Sequence, residues 1–130
     1  MTAPATALDL ARRALERYLD VTTDPDGALS FRHGEMPCAV QGTELVDDLP
    51  VLSLTCVVAW DLADSDVPAR IGERAGEGLF GTLGAVRGEH GWNVTLRYVF
   101  PVAGLSEAAL GTLLMLVVSS AAAVRSELVS

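Results

Sequence analysis

Apolar and polar positions alternate most cleanly from Trp92 to Val102. Trp92, Val94, Leu96, Tyr98, Phe100 and Val102 fall on one side of an extended chain, and Asn93, Thr95, Arg97, Val99 and Pro101 on the other. A period of two over that length predicts a half-buried strand, and the β-branched and aromatic content suits a pleated surface. The run from Pro50 to Trp60 repeats the pattern. Leu52, Leu54, Cys56, Val58 and Trp60 share one face, while Val51, Ser53, Thr55, Val57 and Ala59 make a smaller, mixed one. Shorter extended runs cover Ala28 to His33, Met36 to Gln41 and Gly81 to Arg87. Turn chemistry separates them at Asp24-Pro25-Asp26-Gly27, His33-Gly34-Glu35 and Gly88-Glu89-His90-Gly91. Pro37 marks an edge position or a strand end, since it cannot donate to a ladder.

Three segments carry the helical period instead. From Thr6 to Leu19, Leu8, Ala11, Leu15 and Tyr18 or Leu19 line one side, and Asp9, Arg12, Arg13, Glu16 and Arg17 the other. A second helix places Val67, Ile71, Ala75 and Leu79 four apart, after Asp61, Asp64, Ser65 and Asp66, which offer N-caps. Gly72, Gly76 and Gly78 weaken it, so it should end before Leu79. The third opens at Leu105-Ser106, with Ser106 as cap and Glu107 matched to the helix dipole. It then runs from Ala108 to Val124 without a charge. The order α-β-β-β-α-β-β-α predicts an α+β domain: a five-stranded, mostly antiparallel sheet with helices on one face. A polar, acidic loop is expected from Gly42 to Leu49, and the whole of 1–130 reads as a single domain.

Composition narrows the function. The chain has 130 residues and a net charge of -8, with every basic residue an arginine. Phosphate backbones and anionic membranes are recognised by clustered positive charge, so neither nucleic acid nor a membrane is an expected partner. The two cysteines, Cys38 and Cys56, are too few for a disulfide framework and read as buried free thiols. Charges interrupt the N-terminal segment before any long apolar run, so a cytoplasmic location without a signal peptide is expected. The uncharged last helix approaches the lower limit of a membrane span. Gly111, Thr112, Ser119, Ser120 and its alanine-rich second half favour burial in the core and self-association instead.

Candidate chemistry is sparse. Gly76-Glu77-Gly78-Leu79-Phe80-Gly81 matches G-x-G-x-x-G, but it follows a helix and precedes a strand, so no helix N-terminus faces a pyrophosphate. His33 and His90 sit in turns, and neither they nor the cysteines have zinc-ligand spacing. Asp24-x-Asp26-Gly27 begins like a calcium loop and lacks the remaining ligands. Asp47-Asp48 and the group Asp61, Asp64 and Asp66 are explained by loops and caps. No nucleophile motif is present. No catalytic residue, metal or cofactor is therefore expected.

The leading amphipathic helix, the DGALSF strand, a helix running into GLFGTLG, the hairpin around GEHG, the VFPV strand end and LSEAALGTLL follow one another in an order that resembles the YbjN family. That family is similar in fold to the class I type III secretion chaperones. The resemblance spans about Leu8 to Leu128. It implies a small, acidic, dimeric, non-enzymatic protein that binds a protein partner in an extended form. YbjN relatives are also described as sensory-transduction regulators, which implies the alternative of a small ligand held between sheet and helices, near Trp60, Trp92 and Tyr98. Relatives carry an asparagine in the second helix, and none lies between Val67 and Leu83 here. The surfaces expected to meet a partner or a second copy are the outer sheet face, through Val51, Ser53, Thr55, Val57, Arg97 and Val99, and the apolar side of the last helix, through Leu113, Leu116 and Val117.

Overall fold

In the computed structural model, which describes residues 4–44, 49–77 and 80–129, the element order is α1 (Pro4–Glu16), β1 (Thr22–Thr23), β2 (Leu29–His33), β3 (Met36–Glu44), β4 (Pro50–Leu62), α2 (Val67–Ala75), β5 (Thr82–Arg87), β6 (Trp92–Pro101) and α3 (Glu107–Val129). The strands form one sheet in the order β1-β2-β3-β4-β6-β5, antiparallel at every step. The expected α+β class is present with six strands in place of five. The additional one, β1, pairs Thr22 with Ser30 and Thr23 with Leu29. Two exposed threonines are too short a run to show any period, so the pairing is visible only in three dimensions.

The expected turns form, and their acidic residues act locally. The Asp24 carboxylate accepts from the Ser30 hydroxyl at 2.6 Å, and Asp26 accepts from the Ala28 N–H at 3.0 Å. Both therefore shape the β1–β2 connection. Gly34, at a φ of 62°, closes the tight β2–β3 hairpin in which His33 pairs with Met36. The run of acids around Asp47-Asp48, and Gly78 and Leu79 of the glycine-rich segment, lie outside the described residues.

The inner sheet face and the helices share one core. Leu52, Leu54, Cys56, Val58, Val94 and Leu96 are fully buried. They join Ala7, Ala11, Ala14 and Leu15 of α1, Val67 and Ile71 of α2, and Leu110, Leu114, Val117, Val118 and Ala121 of α3. The stripe of α1 is thus turned toward its alanines, and Tyr18 is left more than half exposed. The cause is close approach: a Cβ added at Gly111 of α3 would lie 3.5 Å from the Ala14 Cβ and 3.3 Å from the Tyr18 ring. Only small side chains fit such a crossing.

The N-terminus of α3 is fixed twice. Ser106 Oγ accepts from the Ala109 N–H at 3.1 Å, the expected cap. Glu107 accepts from Arg13 Nε at 3.0 Å and pairs with Arg17, joining α1 to α3 across the sequence. The hydrogen bond from Arg13 and the nearby charge of Arg17 hold the Glu107 carboxyl below its ordinary value. Asp66 precedes α2 as expected, but its side chain makes no capping hydrogen bond.

The alternation of β4 breaks near its end. Register shifts fall between Val57 and Ala59 and between Ala59 and Leu62, and Asp61 adopts a φ of 55°. The shifts bury Ala59 completely and turn Trp60 outward, 42% exposed. The expectation that Trp60 shares the inner face is corrected by these irregularities. Gly91, at a φ of 142°, lies against the same end of β4, where an added Cβ would stand 2.5 Å from the Leu62 carbonyl oxygen.

Two outcomes follow. Gly91→Ala should lower the unfolding free energy by about 3 kcal/mol, combining backbone strain with a clash; urea titration with an unchanged slope reads this directly, and a loss below about 0.5 kcal/mol would contradict the contact. The lowered Glu107 carboxyl contributes stability that is present above the ordinary carboxylate range and is lost as pH falls through its folded value. The melting temperature of Glu107→Gln should therefore fall less than that of the parent chain between about pH 5 and about pH 3. Parallel acid curves would show that the pair carries no such linkage.

Candidate functional site

The side of the sheet away from the helices is open over much of its area. In the ladder between β4 and β6, Ser53 stands opposite Val99, Thr55 opposite Arg97 and Val57 opposite Thr95. Alternation sends these residues to the outer face, because their neighbours Leu54, Cys56, Leu96 and Tyr98 point inward. Ala39 and Gln41 extend the surface across β3, opposite Thr55 and Ser53. The composition is β-branched and hydroxyl-bearing, with few charges.

Two broad depressions occupy this face. One, of about 520 Å³, is lined by residues that include Thr22, Ser30, Arg32, Pro37, Ala39, Thr55 and Val57. The other, of about 670 Å³, lies over β5 and β6 and is lined by Gly81, Thr82, Gly84, Thr95, Arg97, Tyr98 and Val99. Gly84 leaves its strand without a side chain there, which deepens the second depression. A third, of about 430 Å³, meets the second at Arg97 and reaches Ser53, Thr43 and Gly27.

Arg97 stands where the second and third depressions meet. Its Nε donates to Ser53 Oγ at 3.1 Å, which holds the side chain across the face. Ser53 is itself only 5% exposed. Arg12, Arg13, Arg17, Arg74 and Arg125 each pair with a carboxylate. Among the described residues, Arg97, like Arg32, Arg70 and Arg87, has no such partner. A guanidinium held by a neutral hydroxyl keeps donors available for a carboxylate or a chain of carbonyl oxygens.

The expected contact residues divide unevenly. Thr55 and Val57 are half-buried, Arg97 is exposed, and Val99 is 43% exposed, so these four form a continuous accessible strip. Val51 and Ser53 are buried, and Ser53 acts through Arg97. On α3, Leu116 is 46% exposed, Leu113 is half-buried and Val117 is wholly within the core. Exposed Ala109, Thr112, Ser119 and Ala123 extend the Leu116 side without a charge. By length and composition α3 could cross a membrane, yet its other side is the core contact with β4 and α1.

The strand expected from Gly81 to Arg87, β5, is an edge of the sheet, a position its own pattern does not mark. Val86, 68% exposed, and Thr82 flank Gly84 along it. A second cluster was not foreseen at all. The Arg125 guanidinium lies 4.9 Å from the Trp60 ring, Nη1 donates to the Val58 carbonyl at 2.9 Å, and Nη2 stands 3.4 Å from Glu35. This arrangement covers the irregular end of β4 with the end of α3. Only the outward turn of Trp60 creates it, and alternation conceals that turn. The region once expected to hold a ligand near Trp60, Trp92 and Tyr98 is accordingly divided: Trp60 is outside, while Trp92 and Tyr98 pack against the core.

The α+β fold has a counterpart among solved structures. A chain in the crystal structure of the ExsC–ExsE complex, a type III secretion chaperone with its partner, superposes with a TM-score of 0.71. The match covers 98% of this chain and 97% of that one at 16% identity, which is a likeness of fold. No protein-family profile and no curated relative matches the chain. The secretion-chaperone side of the expected resemblance is thus supported in fold, and the YbjN side is not.

Proposed function

We propose that this chain is a non-enzymatic, chaperone-like protein-binding module that acts as a homodimer in the cytoplasm. The observation that carries the reading is the open outer face, crossed by Thr55, Val57, Arg97 and Val99, with Arg97 held by Ser53 and offering unused donors. An extended polypeptide suits such a surface. Its backbone can lie along the hydroxyl-rich strands, its β-branched side chains can enter the depressions, and an acidic side chain can meet Arg97. The ExsC–ExsE complex supports protein binding by this fold, since that structure holds one protein bound to another.

The dimer is assigned to the exposed side of α3. Ala109, Thr112, Leu116, Ser119 and Ala123 present a long, uncharged strip of small residues around one leucine. A second copy of the same strip could approach closely and bury Leu116 without desolvating a charge. The outer sheet face suits self-association less well, because a two-fold axis near Arg97 would bring like charges together.

Peptides of about ten residues, alternating valine or threonine with glutamate, are the direct probe. Amide shifts are expected at Thr55, Val57, Arg97 and Val99, with affinity at least about tenfold weaker for Arg97→Glu. Arg97→Ala should keep the fold, with a stability loss near about 1 kcal/mol, and so serves as the control. Shifts confined to another surface, or none with acidic, neutral or basic peptides, would refute the face as a binding site. Light scattering should give a dimer mass that Leu116→Glu halves while the circular dichroism is unchanged. A parent chain that stays monomeric across concentrations would remove the dimer.

A further inference from the structure

Cys38 and Cys56 are separated in sequence and joined in space. They are direct partners in the β3–β4 ladder, on the inner face, and both are buried. Residues directly opposite on antiparallel strands hold their Cα atoms about 4.5 or about 5.5 Å apart, depending on the type of pair. Disulfides span about 4.4 to 6.8 Å, so either type of pair lies within reach of a bridge. Cys38 Sγ lies 3.8 Å from the Met36 carbonyl oxygen.

We propose that Cys38 and Cys56 are a cross-strand dithiol site that closes to an intramolecular disulfide with a small disulfide oxidant of the oxidised-glutathione class, gated by opening of the sheet. In the first step one cysteine thiolate attacks glutathione disulfide, forms a mixed disulfide and releases one glutathione thiolate. The second cysteine, as thiolate, then attacks the protein sulfur of that mixed disulfide. The Cys38–Cys56 bond forms and the second glutathione leaves. Two protein thiols are oxidised, one glutathione disulfide is reduced, and the two thiol protons end on the two glutathiones.

The surroundings set the gate. The thiolate is the attacking form. The neighbouring Cys38 thiol and burial both push the Cys56 thiol up, and both cysteines are out of reach of solvent. β3 and β4 are interior strands of the sheet, so exposing the pair requires the central ladder to open. Closure is therefore slow in the folded chain and rapid during refolding. Once formed, the bond pins the β3–β4 register directly behind the pair Ala39 and Thr55 of the outer face. It also restricts the unfolded chain, which raises stability.

The test refolds the full chain from urea in buffers of reduced and oxidised glutathione, with an acid quench. A maleimide gel shift counts the remaining thiols, and non-reducing peptide mapping locates the bond. The expected result is loss of both thiols together, a monomeric product, and a single linked peptide pair containing Cys38 and Cys56. The melting temperature should rise by several degrees relative to the reduced chain. The native chain should react at least tenfold more slowly than the refolding one. Cys38→Ser should stop at a stable mixed disulfide with glutathione and lose the redox-dependent rise. If that variant does not fold, the peptide map of the parent chain decides alone. Persistent free thiols in the most oxidising buffer, a mixed disulfide as the end product of the parent chain, bridges between chains, or a lower melting temperature after oxidation would each overturn the site.

Discussion

Pairing between β4 and β6 is the constraint on which the other elements depend. These two strands are distant in sequence, yet they form the longest antiparallel ladder of the sheet, from Val51 opposite Pro101 to Leu62 opposite Trp92. Its register decides which side chains meet the helices. A slip of β6 by one residue would send Leu96 and Tyr98 to the outer face and bring Arg97 and Val99 toward the core. The apolar cost of such a slip is large, because each buried leucine contributes about 2 kcal/mol or more. The core pattern therefore also fixes the composition of the open face. Its hydroxyls and its one well-placed guanidinium are the complement of the core, read on alternate positions.

Much of this was legible because two periods dominate the chain. The run from Trp92 carries a period of two, the first two helices carry apolar positions on a helical spacing, and the third is a long uncharged apolar run behind a capping serine, so their existence and order follow from pattern alone. Details that depend on closeness were not legible. The two-residue β1 has no period to detect. The bulges near Val57 and Ala59 reverse the orientation of Trp60, and nothing in an alternating string marks where an extra residue is inserted. The inward alanines of α1 reflect the nearness of Gly111, a relation between residues far apart in sequence. The expected sheet residues lie on the outer face, but Val51 and Ser53 are buried there because their neighbours decide how much solvent they meet, and Val117 lies on the core side of α3.

The two sides of α3 divide its work. One side supplies Leu110, Leu114, Val117 and Val118 to the core, and the helix is tied to α1 by Glu107 and to β4 by Arg125. The other side is exposed, small and nearly featureless apart from Leu116. A helix apolar all round normally signals burial on several sides. Here a single chain buries only part of it, and the exposed side is left free of any role in the core.

The position of α3 also has a consequence for biosynthesis. Its residues cover β4 and meet α1, so α1 and α2 roof only part of the inner face of the sheet until α3 has been made. Strands β2 to β6 can pair earlier, but Leu52, Leu54, Val58 and Leu96 would then face water on their apolar side. A nascent chain of this design passes through a stage at which a finished sheet is only partly roofed, and it is most vulnerable to aggregation in the interval before Glu107–Val129 folds down.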